Sequence, residues 1–193
     1  MYTLFISTYS SFINIALLKD NDVLTHQIKE SKNSHSIYTM PMIKEILDQN
    51  NIKPKDLNEI EVVNGPGSFT GVRIGVTIAK TLAYTLNIPI KSISSLEALA
   101  LTSKGTKKII TLRDIKGVYY GIFDENNKHS EPFNYLNNKE FDEFIINNNY
   151  QNLLIEETNH LDIKNIHLYL KDVKPTNPHH INPLYIKKIE VEK

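Results

Sequence analysis

The chain has 193 residues, enough to bury a sizeable core but too few for a large multidomain machine. Its 22 Lys and Arg residues balance 22 Asp and Glu residues, and neither half of the sequence is basic. Tight nucleic-acid binding by this chain alone is therefore not expected, because such binding depends largely on the neutralisation of phosphates.

The sequence contains no Cys, which excludes disulfides, thiol catalysis and cysteine metal sites. The first residues lack the basic region and apolar stretch of a signal peptide. No later segment approaches the roughly 20 apolar residues that span a bilayer. We therefore expect a cytoplasmic protein that does not bind a membrane.

The first predicted elements are three strands and a helix. Residues 2–7, 12–18 and 23–30 are apolar with loose alternation, which is typical of a three-stranded antiparallel meander. A helical period over residues 37–50 follows hydroxyl caps at positions 34–36. Pro41 must lie in the first turn of this helix or bend it.

A strand, a glycine-rich loop and a second helix come next. Residues 60–63 form a short apolar run that leads into the loop at 65–71, and helical periodicity continues over residues 70–86. Another strand is predicted at 90–93, and Ser95 begins a third helix. Strands followed by alternating helices and strands are typical of an α/β unit with a mixed sheet.

A second unit is predicted beyond the polar segment 102–106. Residues 109–112 and 118–123 indicate strands, 138–146 a helix and 153–155 a short strand, before a tail rich in Pro and His. We therefore expect an N-terminal unit at residues 1–104 and a shorter C-terminal unit at 105–193.

The glycine-rich loop is the strongest local motif, and two interpretations of it stay open. Glycines before a helix N-terminus allow the backbone to approach a phosphate, although the loop has neither Gly-Lys-Ser/Thr nor G-x-G-x-x-G. Alternatively, the glycines permit a tight turn while a hydroxyl caps the helix. The loop consists of Gly65, Pro66, Gly67, Ser68, Phe69 and Thr70.

Small residues recur every four positions along the helix that follows, at Gly71, Gly75, Ala79 and Ala83. Gly costs roughly 1 kcal/mol relative to Ala inside a helix, so Gly75 requires a compensating close contact. That contact is either with the sheet of this chain or with a helix of another chain.

The remaining candidates for catalysis or binding are weak. Arg73 and Arg113 are the only Arg residues of a Lys-rich chain, and two explanations stay open: a need for planar, forked hydrogen bonding that Lys cannot give, or retention by chance. The seven His residues show no spacing typical of a metal site. No Gly-x-Ser-x-Gly motif and no arranged Ser, His and Asp set indicates a hydrolase or peptidase.

The segment from Asn64 to Ala83 closely resembles the signature of the bacterial TsaB (YeaZ) family of tRNA threonylcarbamoyladenosine biosynthesis proteins. The resemblance continues through residues 88–89 and 94–100, and His35 and Ser36 stand where the family has its His-Ser helix. It implies an α/β fold of the actin-like, ribonuclease H-like class, with two lobes and mixed sheets flanked by helices.

The resemblance also implies a function. Such a chain is a catalytically silent partner of a TsaD-like transferase, which attaches threonylcarbamoyl to the tRNA adenosine next to the anticodon. A TsaE-like ATPase completes the set, tRNA is contacted only through the complex, and a homodimer forms when the partner is missing.

No catalytic residue, metal or cofactor is expected in this chain. Actin-like nucleotide sites have an acid near the end of the first strand, but this sequence has Ser7 there, which cannot supply the negative charge that attracts Mg²⁺. The alternative function is a nucleotide-binding phosphotransferase of the actin-like superfamily, with the glycine loop holding phosphate.

We expect the partner to dock on the helices predicted at residues 37–50 and 70–86. The predicted interface consists of His35, Tyr38, Met42, Gly71, Arg73, Gly75, Ala79 and Ala83.

Overall fold

The computed structural model describes residues 1–32, 34–103, 105–129, 131–156 and 158–187. The strands are β1 (Tyr2–Ser7), β2 (Phe12–Lys19), β3 (Asp22–Glu30), β4 (Glu59–Val63), β5 (Ile90–Ile93), β6 (Lys108–Arg113), β7 (Gly117–Phe123), β8 (Asn134–Asn137) and β9 (Leu154–Ile155). The α-helices are α1 (His35–Gln49), α2 (Phe69–Leu86), α3 (Ser95–Thr102), α4 (Asn138–Asn147) and α5 (Ile163–Lys171).

The first sheet has the strand order β3-β2-β1-β4-β5. Strands β1, β2 and β3 pair antiparallel, which confirms the predicted meander, and β4 and β5 continue the sheet in parallel with β1. Strands β1 and β4 are buried almost throughout, because helices cover the sheet. Helices α1 and α2 pack against β2 and β4, whereas α5 packs against β3 and β5.

The second sheet has the order β8-β7-β6-β9, with β9 parallel to β6 and the other pairs antiparallel. Helix α4 packs on this sheet through a small apolar cluster that includes Phe141 and Ile145. Two mixed sheets with packed helices confirm the predicted α/β class.

Three details differ from the elements predicted from the sequence. Pro41 lies inside α1, beyond its first turn. Strand β8 and helix α5 were not predicted, and α5 lies in the tail that we described only by its Pro and His content. Helix α5 buries Ile163, Ile166, His167 and Leu170, which are spaced as on one face of a helix.

The two sheets lie on either side of the predicted boundary after Lys104, which itself lies outside the described residues, as do residues 188–193. The chain nevertheless returns to the first sheet after β9. Ile166, Leu170 and Ile181 join the core of the first sheet, and Thr176 bridges to Ile90. The division into 1–104 and 105–193 stays a prediction, and α5 packs across it.

Among the described residues, none of the helices combines the length and apolarity required to cross a bilayer.

Candidate functional site: the glycine loop and helices α1 and α2

The glycine loop is folded tightly against this chain. Gly67 has φ +152°, and a Cβ atom there would lie 2.3 Å from the carbonyl oxygen of Tyr9. The Ser68 amide donates to the same oxygen at 2.6 Å. The main-chain amide of Ser95 donates to the Gly65 oxygen at 2.8 Å, and the Ser95 hydroxyl donates to the Pro66 oxygen. The loop therefore packs between the β1–β2 turn and the start of α3 of its own chain.

Ser68 is the N-cap residue of helix α2. Its Oγ accepts a hydrogen bond from the Gly71 amide at 3.2 Å, which is the geometry of an N-cap. Thr70 and Phe69 follow in the first turn with exposed side chains. These contacts support the structural interpretation of the loop, in which the glycines permit close backbone approach and a hydroxyl caps the helix.

The stripe of small residues on α2 faces the inside of the molecule. A Cβ atom on Gly71 would lie 2.2 Å from the Thr8 carbonyl oxygen, and one on Gly75 would lie 2.2 Å from Thr8 Oγ1. Ala79 and Ala83 are fully buried. These four residues are thus buried within this chain itself, and their contact with a partner stays a prediction.

Two more residues of the predicted interface are buried. The His35 Nε2–H donates to the Ser10 carbonyl oxygen at 2.7 Å, and Met42 belongs to the apolar core. Each packs inside this chain, and their assignment to the interface likewise stays a prediction. Tyr38 is exposed, with the Lys29 ammonium 4.4 Å from its ring centroid.

Arg73 is exposed in the first turns of α2, and its guanidinium is held in place from two sides. Its Nε–H donates to the Tyr185 hydroxyl at 2.8 Å, and its Cζ lies 3.5 Å from the centroid of the Phe69 ring. The Leu184 amide donates to the Asn64 oxygen at 2.7 Å, which fixes the segment that carries Tyr185. Sequence reasoning singled out Arg73 but not its partners in the tail.

Large apolar side chains are exposed on the outer side of both helices. The α1–α2 face consists of Ile37, Tyr38 and Met40 on α1 and Phe69, Arg73 and Tyr84 on α2. Ile37 is 63%, Phe69 58% and Tyr84 65% exposed. The two helices contact each other, so these exposed side chains lie on adjacent elements.

An open cleft of about 590 Å³ lies beside the glycine loop and the β6–β7 turn. Arg113 and Lys116 line it together with Lys187, which lies 3.7 Å from Asp114. Burial alone would raise the pKa of Asp114, but hydrogen bonds from the amides of Lys116 and Gly117 and from the Tyr135 hydroxyl lower it. The cleft therefore holds an ionised carboxylate beside three cations.

Ser7 lies at the end of β1 and is fully buried. Its Oγ has no hydrogen-bond partner among the described residues. The end of the first strand thus carries a neutral hydroxyl, which does not attract a divalent cation as a carboxylate does.

The described residues include one group of three potential metal ligands, Glu59, Glu61 and His167, whose nearest polar atoms lie within 4.8 Å of one another. All three are buried, and Lys91 lies 3.0 Å from Glu59. Sequence reasoning predicted no metal site and missed this cluster, because His167 lies more than 100 positions from Glu61 in the chain and spacing motifs detect only local sets.

Comparisons with known proteins place the chain among relatives. The family model described as TsaD, tRNA N6-adenosine threonylcarbamoyltransferase, matches residues 22–114. The tRNA threonylcarbamoyladenosine biosynthesis protein TsaB of Bacillus subtilis (strain 168) is 42% identical over 130 residues, which cover 66% of this chain and 57% of that protein. The TsaB protein of Buchnera aphidicola subsp. Acyrthosiphon pisum (strain APS) is 30% identical over 182 residues, 86% of this chain and 81% of that protein.

Two solved structures from Pseudomonas aeruginosa share the fold. One, described as an uncharacterized protein with similarity to peptidase YeaZ, has a TM-score of 0.80 at 17% identity and covers 96% of this chain and 99% of that chain. The other, YeaZ, has a TM-score of 0.64 at 23% identity and covers 71% of this chain and 69% of that chain. This likeness confirms the fold expected from the resemblance. The Buchnera protein is 30% identical to this chain over 81% of its own length. This chain therefore belongs to the TsaB family of tRNA threonylcarbamoyladenosine biosynthesis proteins.

Proposed function

We propose that this chain is a non-catalytic partner of a TsaD-like transferase in the threonylcarbamoyl modification of the tRNA adenosine next to the anticodon. The relatives named for this biosynthesis support the pathway. The observation that supports the partner role is the exposed apolar α1–α2 face. The adjacent glycine loop is packed against other residues of the same chain.

The docking surface of this proposal differs from the one predicted from the sequence. The small residues of α2 hold the helix close to the first sheet, so the opposite side of the helix is the side available to another protein. Phe69 and Tyr84 supply apolar area near the two ends of α2, and the Arg73 guanidinium between them supplies directed N–H donors. A TsaD-like protein would cover these groups.

The other components follow from the same proposal. tRNA is contacted only through the complex, since this chain has no net charge with which to attract it. A TsaE-like ATPase is a further component. A second copy of this chain occupies the α1–α2 face when the transferase is missing.

Reconstitution from purified proteins tests the proposed function. The chain, the TsaD-like, TsaE-like and adenylate-forming proteins of the same organism, and tRNA are mixed, and modified adenosine is quantified by mass spectrometry. We expect modification with the full set, none with this chain alone, and a loss when this chain is omitted. Modification by this chain alone would refute the non-catalytic role.

The second candidate is a nucleotide-binding phosphotransferase of the actin-like superfamily, and the cationic cleft is the observation that favours it. Calorimetry with ATP and Mg²⁺ on the isolated chain separates the two. The partner role predicts no turnover, because Ser7 replaces the acid that would hold the metal. Tight binding accompanied by turnover would establish the second candidate instead.

A further inference from the structure

Helix α5 is fastened to the first sheet by a buried polar cluster, formed by Glu59 and Glu61 of β4, Lys91 of β5 and His167 of α5. All four residues are at most 7% exposed. Lys91 Nζ lies 3.0 Å from Glu59 Oε2, and His167 Nδ1 lies 2.8 Å from Glu61 Oε1. The second ring nitrogen of His167, Nε2, lies 2.7 Å from the carbonyl oxygen of Asp20.

Both ring nitrogens of His167 therefore face acceptors. A carbonyl oxygen can only accept, so Nε2 must carry a hydrogen towards Asp20. An ionised Glu61 can also only accept, so a second proton must lie between Nδ1 and Glu61, either on the ring or on the carboxyl group. With that proton the cluster of two carboxylates, one ammonium and one imidazole has no net charge.

A metal ion fits this geometry poorly. Ligands bound to one ion at about 2.0–2.2 Å in a tetrahedral site lie about 3.3 Å or more apart. The 2.8 Å between His167 Nδ1 and Glu61 Oε1 is the length of a hydrogen bond. The Lys91 ammonium, in addition, already holds Glu59 and would repel a cation.

The other charged groups around α5 have partners of their own, so they do not replace the second proton between His167 and Glu61. Lys164 pairs with Asp22, the first residue of β3, at 3.3 Å, and Lys171 contacts Asn21 in the β2–β3 turn. The Asp20 carboxylate pairs with the N-terminal ammonium at 2.7 Å. His160, just before α5, stacks edge-on against His26 of β3 and not against the cluster.

Loss of this proton leaves the buried cluster with one uncompensated negative charge. The lone pair of His167 Nδ1 then faces the Glu61 carboxylate. The hydrogen bond and ion pair raise the pKa of His167, and burial raises the pKa of Glu61, so the folded chain holds the proton above the pH at which a free imidazole loses it. Detachment of α5 exposes both groups to water and removes this difference.

We propose that one proton shared by His167 and Glu61 acts as a clasp that holds α5 on the first sheet, and that its loss at alkaline pH loosens α5. This makes the packing of α5 across the two predicted units sensitive to pH. The inference depends on the cluster alone and is independent of the proposed partner role.

Hydrogen exchange of the full chain, read by mass spectrometry in peptides from residues 161–173, tests the clasp between pH 6 and 9. After correction for the intrinsic exchange rate, the opening constant of α5 should rise by up to about tenfold per pH unit from the pKa of free imidazole up to the higher pKa of the folded His167, since closing takes up one proton. Peptides of α3 should show a smaller slope. An opening constant of α5 that does not change with pH would overturn the proposal.

The variant Glu61→Gln sharpens the test. A Gln amide can donate to the unprotonated Nδ1 of a neutral His167, so the hydrogen bond survives without the extra proton and the pH slope of α5 should disappear. The control His160→Gln, at an exposed position, should keep the slope. If Glu61→Gln does not fold, the proposal is tested by the pH slope of the α5 opening constant in the unaltered chain and in His160→Gln. A stoichiometric metal in the purified protein, with α5 loosened by a chelator at pH 6, would also overturn the proposal.

Discussion

The contact between Gly75 and Thr8 fixes which side of α2 faces the interior of the chain. The Thr8 Oγ1 donates to the Gly71 oxygen at 2.7 Å and occupies the space that a Cβ on Gly75 would need. Regular spacing of small residues indicated that something approaches α2 closely, but such spacing is the same for a strand of the same chain and a helix of another. The identity of the neighbour depends on tertiary packing, which this pattern does not encode.

Replacement of Gly75 by Ala should therefore act on stability. We expect Gly75→Ala to lower the free energy of unfolding by about 1–3 kcal/mol, because the methyl group and Thr8 Oγ1 cannot both fit. Urea denaturation of Gly75→Ala, Thr8→Ala and the double variant measures this. The double variant should lose less than the sum of the single changes. Additive losses would show that the two side chains do not compete for space.

His26 should limit stability in acid. Burial, and then the nearby His160, lower its pKa to about 4, below the ordinary value of 6.5. The folded state therefore binds fewer protons than the unfolded state between these values, and stability falls as the pH drops from about 6.5 towards 4, by at most about 1.4 kcal/mol per pH unit. Thermal unfolding of His26→Gln should show a weaker acid dependence than the unaltered chain. If the two proteins lose stability equally in acid, groups other than His26 cause the acid dependence.

At the scale of single elements, local sequence signals specify most boundaries. The Ser94 hydroxyl accepts from the Glu97 amide at 3.1 Å, and Glu97 accepts from the Ser94 amide at 3.0 Å, which forms a capping box at the start of α3. The sequence analysis placed the start of this helix at Ser95, which is its first residue in the structure.

Removal of this cap should destabilise the chain measurably. We expect Ser94→Ala to cost about 1 kcal/mol of unfolding free energy, because it leaves an amide of the first turn without its acceptor. Ser36→Ala, at an exposed position in the first turn of α1, is the control and should change the free energy of unfolding by no more than about 0.5 kcal/mol. Chemical denaturation compares the two, and equal losses would contradict the role of the cap.

The elements missed by sequence reasoning have identifiable causes. Strand β8, with the sequence Asn-Tyr-Leu-Asn, is too short and polar to show alternation. Helix α5 has buried residues at helical spacing, but His167 and Lys171 make its segment look polar. The Pro-rich residues after it favoured the interpretation of the whole tail as a loop. Its buried His was therefore not assigned to the apolar face.

Across the whole molecule, the fold could be predicted further than the site. The meander, both principal helices and strands β6, β7 and β9 follow from local patterns in the sequence. The return of α5 to the first sheet and the contact of Tyr185 with Arg73 join residues that are far apart in the chain. Such contacts depend on the complete packing and leave no local pattern.

The central claim is that a TsaD-like protein docks on the α1–α2 face. Titration calorimetry of that protein with this chain, with Tyr84→Glu and with the control Ile146→Glu on α4 tests it most directly, since Tyr84 and Ile146 are both strongly exposed. Circular dichroism first verifies that the variants are folded. The account predicts binding that Tyr84→Glu weakens at least tenfold and Ile146→Glu leaves unchanged. Undiminished binding by Tyr84→Glu, or loss of binding only in Ile146→Glu, would contradict it.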